Sequence, residues 1–104
     1  MKVVAVTACP TGVAHTYMAQ EAIEKECKKR GYTVQVETQG SMGIDNELEQ
    51  EDIDSADVVI LAVAISIEGE ERFEEKEDGG KVLHIDPADV IKHPADILDR
   101  AENL

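Results

Sequence analysis

Two stretches of this chain stand out: Lys2 to Thr7, with Val3 to Val6 apolar at every position, and Val58 to Ala64, apolar throughout. A strand with one wet face alternates apolar and polar residues, so a run without alternation is buried on both faces. That is the habit of strands in a parallel sheet covered by helices. Tyr32 to Glu37 alternates more weakly and Lys81 to Ile85 is short, so these read as strands nearer the edges. Between the first two strands, His15 to Arg30 puts Met18, Ala19, Ala22, Ile23 and Cys27 on one side of a helix and Glu24, Lys25, Lys28 and Lys29 on the other. Basic residues crowd its last turn and Gly31 follows as a stop. Glu47 to Ser55 reads as a short acidic helix. Pro87 to Ile91 and Pro94 to Glu102 read as two more, each opened by a proline after Asp86 or His93. Alternating strands and helices predict an α/β fold: a four-stranded parallel sheet, Rossmann-like, flanked by helices on both faces.

At 104 residues the length fits one domain, 1–104, with one core and a single site. The longest apolar run, Val58 to Ile65, is far short of the roughly 20 residues that span a bilayer. Val6-Thr7-Ala8-Cys9 looks superficially like a lipoprotein cleavage site. Only four apolar residues precede it, against the roughly 7 to 15 of a signal sequence, so export is rejected. Cys9 and Cys27 have neither metal-site spacing nor the density of a disulfide scaffold, and read as thiols of a cytoplasmic protein.

The charge is lopsided. Ten Lys and Arg face 23 Asp and Glu, a net of −13. Residues 1–40 hold five basic and four acidic side chains (+1), which leaves five and nineteen (−14) for residues 41–104. Nucleic acid and anionic membranes, which are held chiefly by Lys and Arg, are poor partners for such a surface. The acidity reads as a solubilising face, or as adaptation to high salt. Glu68 to Gly80 reads as an acid-rich, mobile connector.

The chemistry points to Cys9-Pro10-Thr11-Gly12-Val13-Ala14-His15-Thr16, between a buried strand and a helix. In parallel sheets ligands bind at this edge, beyond the carboxyl ends of the strands. A thiol there lies near unpaired backbone N–H groups and the positive end of a helix dipole, which favour thiolate. The same N–H groups can cradle a phosphate, Gly12 allows a tight turn, and Thr11 and Thr16 add hydroxyls. An isolated cysteine after a strand is more often a small core residue. Pro10, Gly12 and the clustered hydroxyls argue instead for an anion-binding loop with a reactive cysteine.

The run CPTGVAHT resembles the active loop of fructose-type enzyme IIB domains of the sugar phosphotransferase system. A second segment, Val36 to Gly43 continuing through Leu48, is similar to that family's second strand and following loop. The likeness runs from Val3 to about Ile65 and returns at Glu71-Arg72-Phe73. It weakens across Glu74 to Gly80, and Ala64 stands where many relatives carry aspartate. The resemblance implies the four-stranded parallel fold with a phosphate-binding loop between strand 1 and helix 1. It implies that Cys9 is a phosphocysteine and that Thr11, Gly12, Val13, Ala14, His15 and Thr16 line the phosphate cradle. Cys9 would take its phosphoryl group from a phosphohistidine of enzyme IIA and donate it to sugar, fructose by subfamily, bound in membrane enzyme IIC. With a start at Met1 and no membrane segment, both partners are expected as separate chains.

Two other readings stay open. Small cysteine phosphatases also carry a thiolate between a first strand and first helix, but in a Cys-x5-Arg pattern, and His15 stands where their arginine would be. A phosphorylation-dependent regulatory module would share the loop. No cofactor and no metal are expected, because His84 and His93 lack partners at ligand spacing. Cys27 reads as packing. Gln39, Ser41 and Gly43 read either as neighbours of Cys9 or as a plain turn, and Arg72 as the partner of Glu68, Glu71 or Glu75.

Overall fold

The computed structural model describes residues 1–9, 13–40 and 43–104. Among these, five strands form one sheet in the order β3-β2-β1-β4-β5: β1 (Lys2–Ala8), β2 (Thr33–Gly40), β3 (Gly43–Asp45), β4 (Val58–Val63) and β5 (Val82–Ile85). β2, β1, β4 and β5 run parallel, and β3 pairs antiparallel with the end of β2 through Thr38↔Asp45, Gln39↔Ile44 and Gly40↔Gly43. The expected sheet of four parallel strands is corrected by that fifth one. Three residues are too few to show alternation, and Gly43 takes a φ of 105° that only glycine adopts readily, so the sequence reads locally as a turn. β2 also runs three residues further than expected, to Gly40.

The unbroken apolar runs serve two cores. Val3 and Ala5 of β1 and Val58, Ile60 and Ala62 of β4 face one side, with Val4, Val6, Val59 and Leu61 on the other. The first face is covered by α1 (Val13–Lys29), α4 (Pro87–Lys92) and α5 (Pro94–Glu102), through Ala19, Ile23, Cys27, Val90, Leu98 and Ala101. The second is covered by shorter pieces: α2 (Gln50–Asp54), a 3-10 turn at Glu70–Phe73, and α3 (Glu74–Asp78). Ile53, Leu48 and Phe73 fill it.

Local chemistry explains the helix ends. After α1, Gly31 has a φ of 77°, and the N–H groups of Gly31 and Tyr32 return to the carbonyls of Lys28 and Cys27 at 3.1 and 2.9 Å. Asp86 caps α4 by accepting from the Ala88 N–H at 2.8 Å, with Pro87 in the first helical position. Arg30 fastens the end of α1 to α5, its guanidinium bonding Glu26, Asp99 and Glu102. The acid-rich segment expected as a mobile connector is instead the helical crossover from β4 to β5. Phe73 is buried in it, and Lys76 donates to the Asp54 and Ala56 carbonyls at the end of α2. Among the described residues no helix is long and apolar enough to cross a membrane.

Candidate functional site

β1 is the central strand, and the chain leaves it in one direction to β2 and later in the other to β4. The crevice beyond the ends of β1 and β4 is therefore the point where strand order reverses, the usual ligand address in an open α/β sheet. β1 and β4 stay paired to their ends, with Ala8 opposite Val63 and the Ala64 N–H donating to the Ala8 carbonyl at 3.0 Å. Cys9 is the next residue out, half-buried at that crevice.

α1 begins beside it. His15, exposed in the first turn, brings its Nδ1 to 3.8 Å from Cys9 Sγ. Thr16 is buried, and its hydroxyl has no hydrogen-bond partner among the described residues. Its carbonyl accepts from the buried Thr7 hydroxyl at 3.1 Å, which ties the first turn of α1 to the end of β1. Ala14 is exposed, and α1 takes in Val13 at its first position. Thr11 and Gly12 lie outside the described residues, as does Ser41. Of the expected cradle, then, His15 and Thr16 stand with Cys9 at the mouth of α1.

The flank of the crevice holds what the sequence reading missed. Arg72 does not pair with a neighbour in its own segment; it reaches Glu37 of β2, a fully buried carboxylate, through two parallel bonds of 2.8 and 3.0 Å. The remaining guanidinium N–H groups go to the carbonyls of Leu48, Glu68 and Gly69 at 2.7, 3.1 and 2.8 Å. Glu37 also accepts from the Leu48 N–H and from Gln39 Nε2, both at 2.7 Å. Gln39 in turn exchanges bonds with both the N–H and the carbonyl of Glu68. Burial alone would raise the Glu37 carboxyl, but the Arg72, Gln39 and Leu48 bonds outweigh it and hold the group below its ordinary value. Gly69 is glycine because, at φ 72°, a Cβ there would stand 2.5 Å from Arg72 Nε. The signal was in the sequence: Glu37 sits within a strand between residues that must face inward, and no Lys or Arg occurs from Thr33 to Glu71. The first available cation is Arg72.

Gln39 is thus a buried girder rather than a plain turn residue. Tyr17, exposed on α1, donates to Asp45 at 3.2 Å across the end of β2, and that bond raises its phenol. Cys27 packs in the first core as expected, and burial pushes its thiol up to about 11. His84 of β5 pairs with Glu77 of α3, and β4 lies between β5 and the β1 strand that leads to Cys9.

Fold and site together define an α/β protein with a cysteine at the switch point of its sheet and a histidine against it. The family model described as "PTS system, Lactose/Cellobiose specific IIB subunit" matches residues 4–100. A relative from Escherichia coli, "PTS system fructose-like EIIB component 2", is 50% identical over 101 residues, covering 97% of this chain and 92% of the relative. "PTS system fructose-specific EIIB'BC component" of the same organism is 60% identical over 67 residues, 64% of this chain and 12% of that longer protein. Among solved structures, a domain of the fructose-specific iiabc component of a PTS system from Borrelia burgdorferi superposes with a TM-score of 0.88 at 50% identity. That match covers 98% of this chain and 93% of the other. The chain belongs to the enzyme IIB family of the sugar phosphotransferase system, of the fructose type, and its role is in sugar phosphoryl transfer.

Proposed function

We propose that residues 1–104 form a single cytoplasmic phosphoryl-carrier domain in which Cys9 accepts phosphate from a phosphohistidine of enzyme IIA. Cys9 then donates it to sugar, fructose by the names of its relatives, bound by a membrane enzyme IIC. The observation that carries this reading is the juxtaposition of Cys9 with the first turn of α1 at the reversal point of the sheet. A helix of 17 residues offers unsatisfied N–H groups and a positive dipole end to an anion. The Thr16 hydroxyl, buried and unpartnered among the described residues, supports the same conclusion, since it is a donor beside the helix mouth that a bound oxyanion would satisfy. Val13, Ala14, His15 and Thr16 are assigned to the cradle on these grounds and on the family motif, and Thr11 and Gly12 on the motif alone. Fixed dipoles aimed at the phosphoryl oxygens supply the stabilisation that phosphoryl transfer requires. The joined B and C parts in the name of one relative support a IIC partner.

Incubation with phosphorylated enzyme IIA is expected to add one phosphoryl group, mapped by peptide mass analysis to Cys9. It is lost in Cys9→Ser and retained in Cys27→Ser. The phosphocysteine persists without acceptor, and an aryl phosphate is turned over only slowly. Charging of Cys9→Ser at the wild-type rate would sink the assignment, and rapid Cys9-dependent aryl phosphate turnover would make the protein a phosphatase.

A further inference from the structure

We propose that His15 is a catalytic residue: its imidazole takes the proton of the Cys9 thiol and then remains, as imidazolium, the counter-charge to the thiolate and to the phosphoryl group that sulfur carries. The phosphoryl half of this inference rests on the carrier reading of Cys9, whereas the thiol half rests on geometry alone.

His15 Nδ1 stands 3.8 Å from Cys9 Sγ. That is a few tenths of an ångström beyond a close S–H···N bond, and a small rotation of the exposed ring closes it; catalytic hydrogen bonds are often long before substrate arrives. The ring is carried on the first turn of a long helix whose carbonyl is bonded to Thr7, so its origin is fixed relative to β1. Charge makes the contact consequential. A phosphoryl group on sulfur brings about two negative charges near neutral pH, onto a chain whose net charge is already −13.

Side chains that could offset it are scarce. No Lys or Arg occurs from Val3 to Gln20, nor from Thr33 to Glu71, so the first turn of α1, β2, β3 and β4 supply none, and the single lysine of β1, Lys2, stands at the end of that strand away from Cys9. Arg72, next in the chain, has every guanidinium N–H engaged by Glu37, Leu48, Glu68 and Gly69. Arg30 is at the far end of α1, bound to Glu26, Asp99 and Glu102. The lysines of β1 and α1 (Lys2, Lys25, Lys28 and Lys29) stand at the far ends of those elements, and His15, in the first turn of α1, is the side chain beside Cys9 that can take up a positive charge.

The Cys9 S–H bond breaks and its proton forms a bond to His15 Nδ1, leaving the electron pair on sulfur. Thiolate attacks the phosphorus of the donor's phosphohistidine; the S–P bond forms as the N–P bond breaks. The donor ring departs as neutral imidazole, with that electron pair on one nitrogen and its own proton on the other. On discharge an acceptor hydroxyl attacks phosphorus and releases its proton to solvent, while the S–P electron pair returns to sulfur beside the same imidazolium.

The test uses the whole chain in a Cys27→Ser background, comparing His15 with His15→Gln and His15→Lys. His15 is exposed, so neither change endangers folding. With iodoacetamide near pH 7, His15→Gln is expected to slow alkylation of Cys9 about tenfold, and His15→Lys to restore most of the rate. Charging from phosphorylated enzyme IIA is expected to slow about 10²-fold in His15→Gln, within the usual range for a proton-transferring group. Wild-type rates in both assays for His15→Gln would overturn the proposal while leaving the carrier reading intact. A wild-type protein that takes no phosphoryl group, yet whose alkylation depends on His15, would sink the carrier reading and support the thiol-imidazole pair.

Discussion

Replacing Arg72 by methionine removes a guanidinium that five hydrogen bonds hold in place and leaves the Glu37 carboxylate, fully buried, without its counter-charge. Breaking a buried ion pair by deleting one partner is destabilising by about 3–5 kcal/mol, whereas a domain of this size has roughly 5–15 kcal/mol in all. At about 4–8 °C per kcal/mol the melting midpoint falls by the order of 20 °C. Adding Glu37→Gln to Arg72→Met removes the orphaned charge while keeping an acceptor for the Leu48 N–H, so the double variant is expected to recover about 2 kcal/mol. Urea unfolding followed by circular dichroism at pH 7 measures both. Acid separates this account from simple loss of packing. In the wild type Glu37 is held below its ordinary value, so its contribution is complete above the unfolded carboxylate value of about 4.3 and is lost as pH falls through the lower folded value. In Arg72→Met only the Gln39 and Leu48 bonds still oppose burial, the largest single effect, so the group is expected to rise above its ordinary value, and lowering the pH from 7 towards 5 then stabilises that variant relative to wild type. An Arg72→Met loss under about 1 kcal/mol, or a double variant no more stable than the single one, refutes the reasoning.

Two further expectations concern charge and thiols. Carboxylates crowd one face, where Glu70, Glu71, Glu74, Glu77 and Asp78 line a cleft of about 510 Å3. Thermal midpoints should therefore rise with potassium chloride, as the screening length contracts from about 10 Å at 0.1 M to about 3 Å at 1 M; a flat or falling series would show that repulsion is not limiting. Cys27 is buried and its thiol is pushed up to about 11, so native protein treated with iodoacetamide should be modified at Cys9 alone, with Cys27 reacting only in denaturant. Equal labelling of both in the native state would contradict the burial.

The elements legible in the sequence were those whose signals are local. Unbroken apolar runs marked β1 and β4, the 3.6-residue period marked α1, Gly31 its end, and Pro87 and Pro94 the last two helices, all within a few residues of the structure. Cys9 was legible as an address, at the end of the first buried strand. β3 was not, because three residues have no period and its existence depends on the end of β2. The Arg72 partnership was misjudged for a related reason: proximity in sequence favoured Glu68, Glu71 or Glu75, but the energetic demand came from Glu37, 35 residues away, where burial made an ion pair necessary rather than optional.

The two faces of the sheet are roofed unequally. On one side lies a helix of 17 residues with two companions; on the other, helical pieces of only four or five residues each. Short helices have little cooperativity of their own, so the thinly roofed side is expected to exchange its amide hydrogens sooner than α1, whose first turn stands beside Cys9. Arg72 is the bolt on that lighter door. Fluctuations of the acidic face can then be frequent and shallow without moving the chemistry, which gives one small molecule a yielding surface and a rigid one back to back.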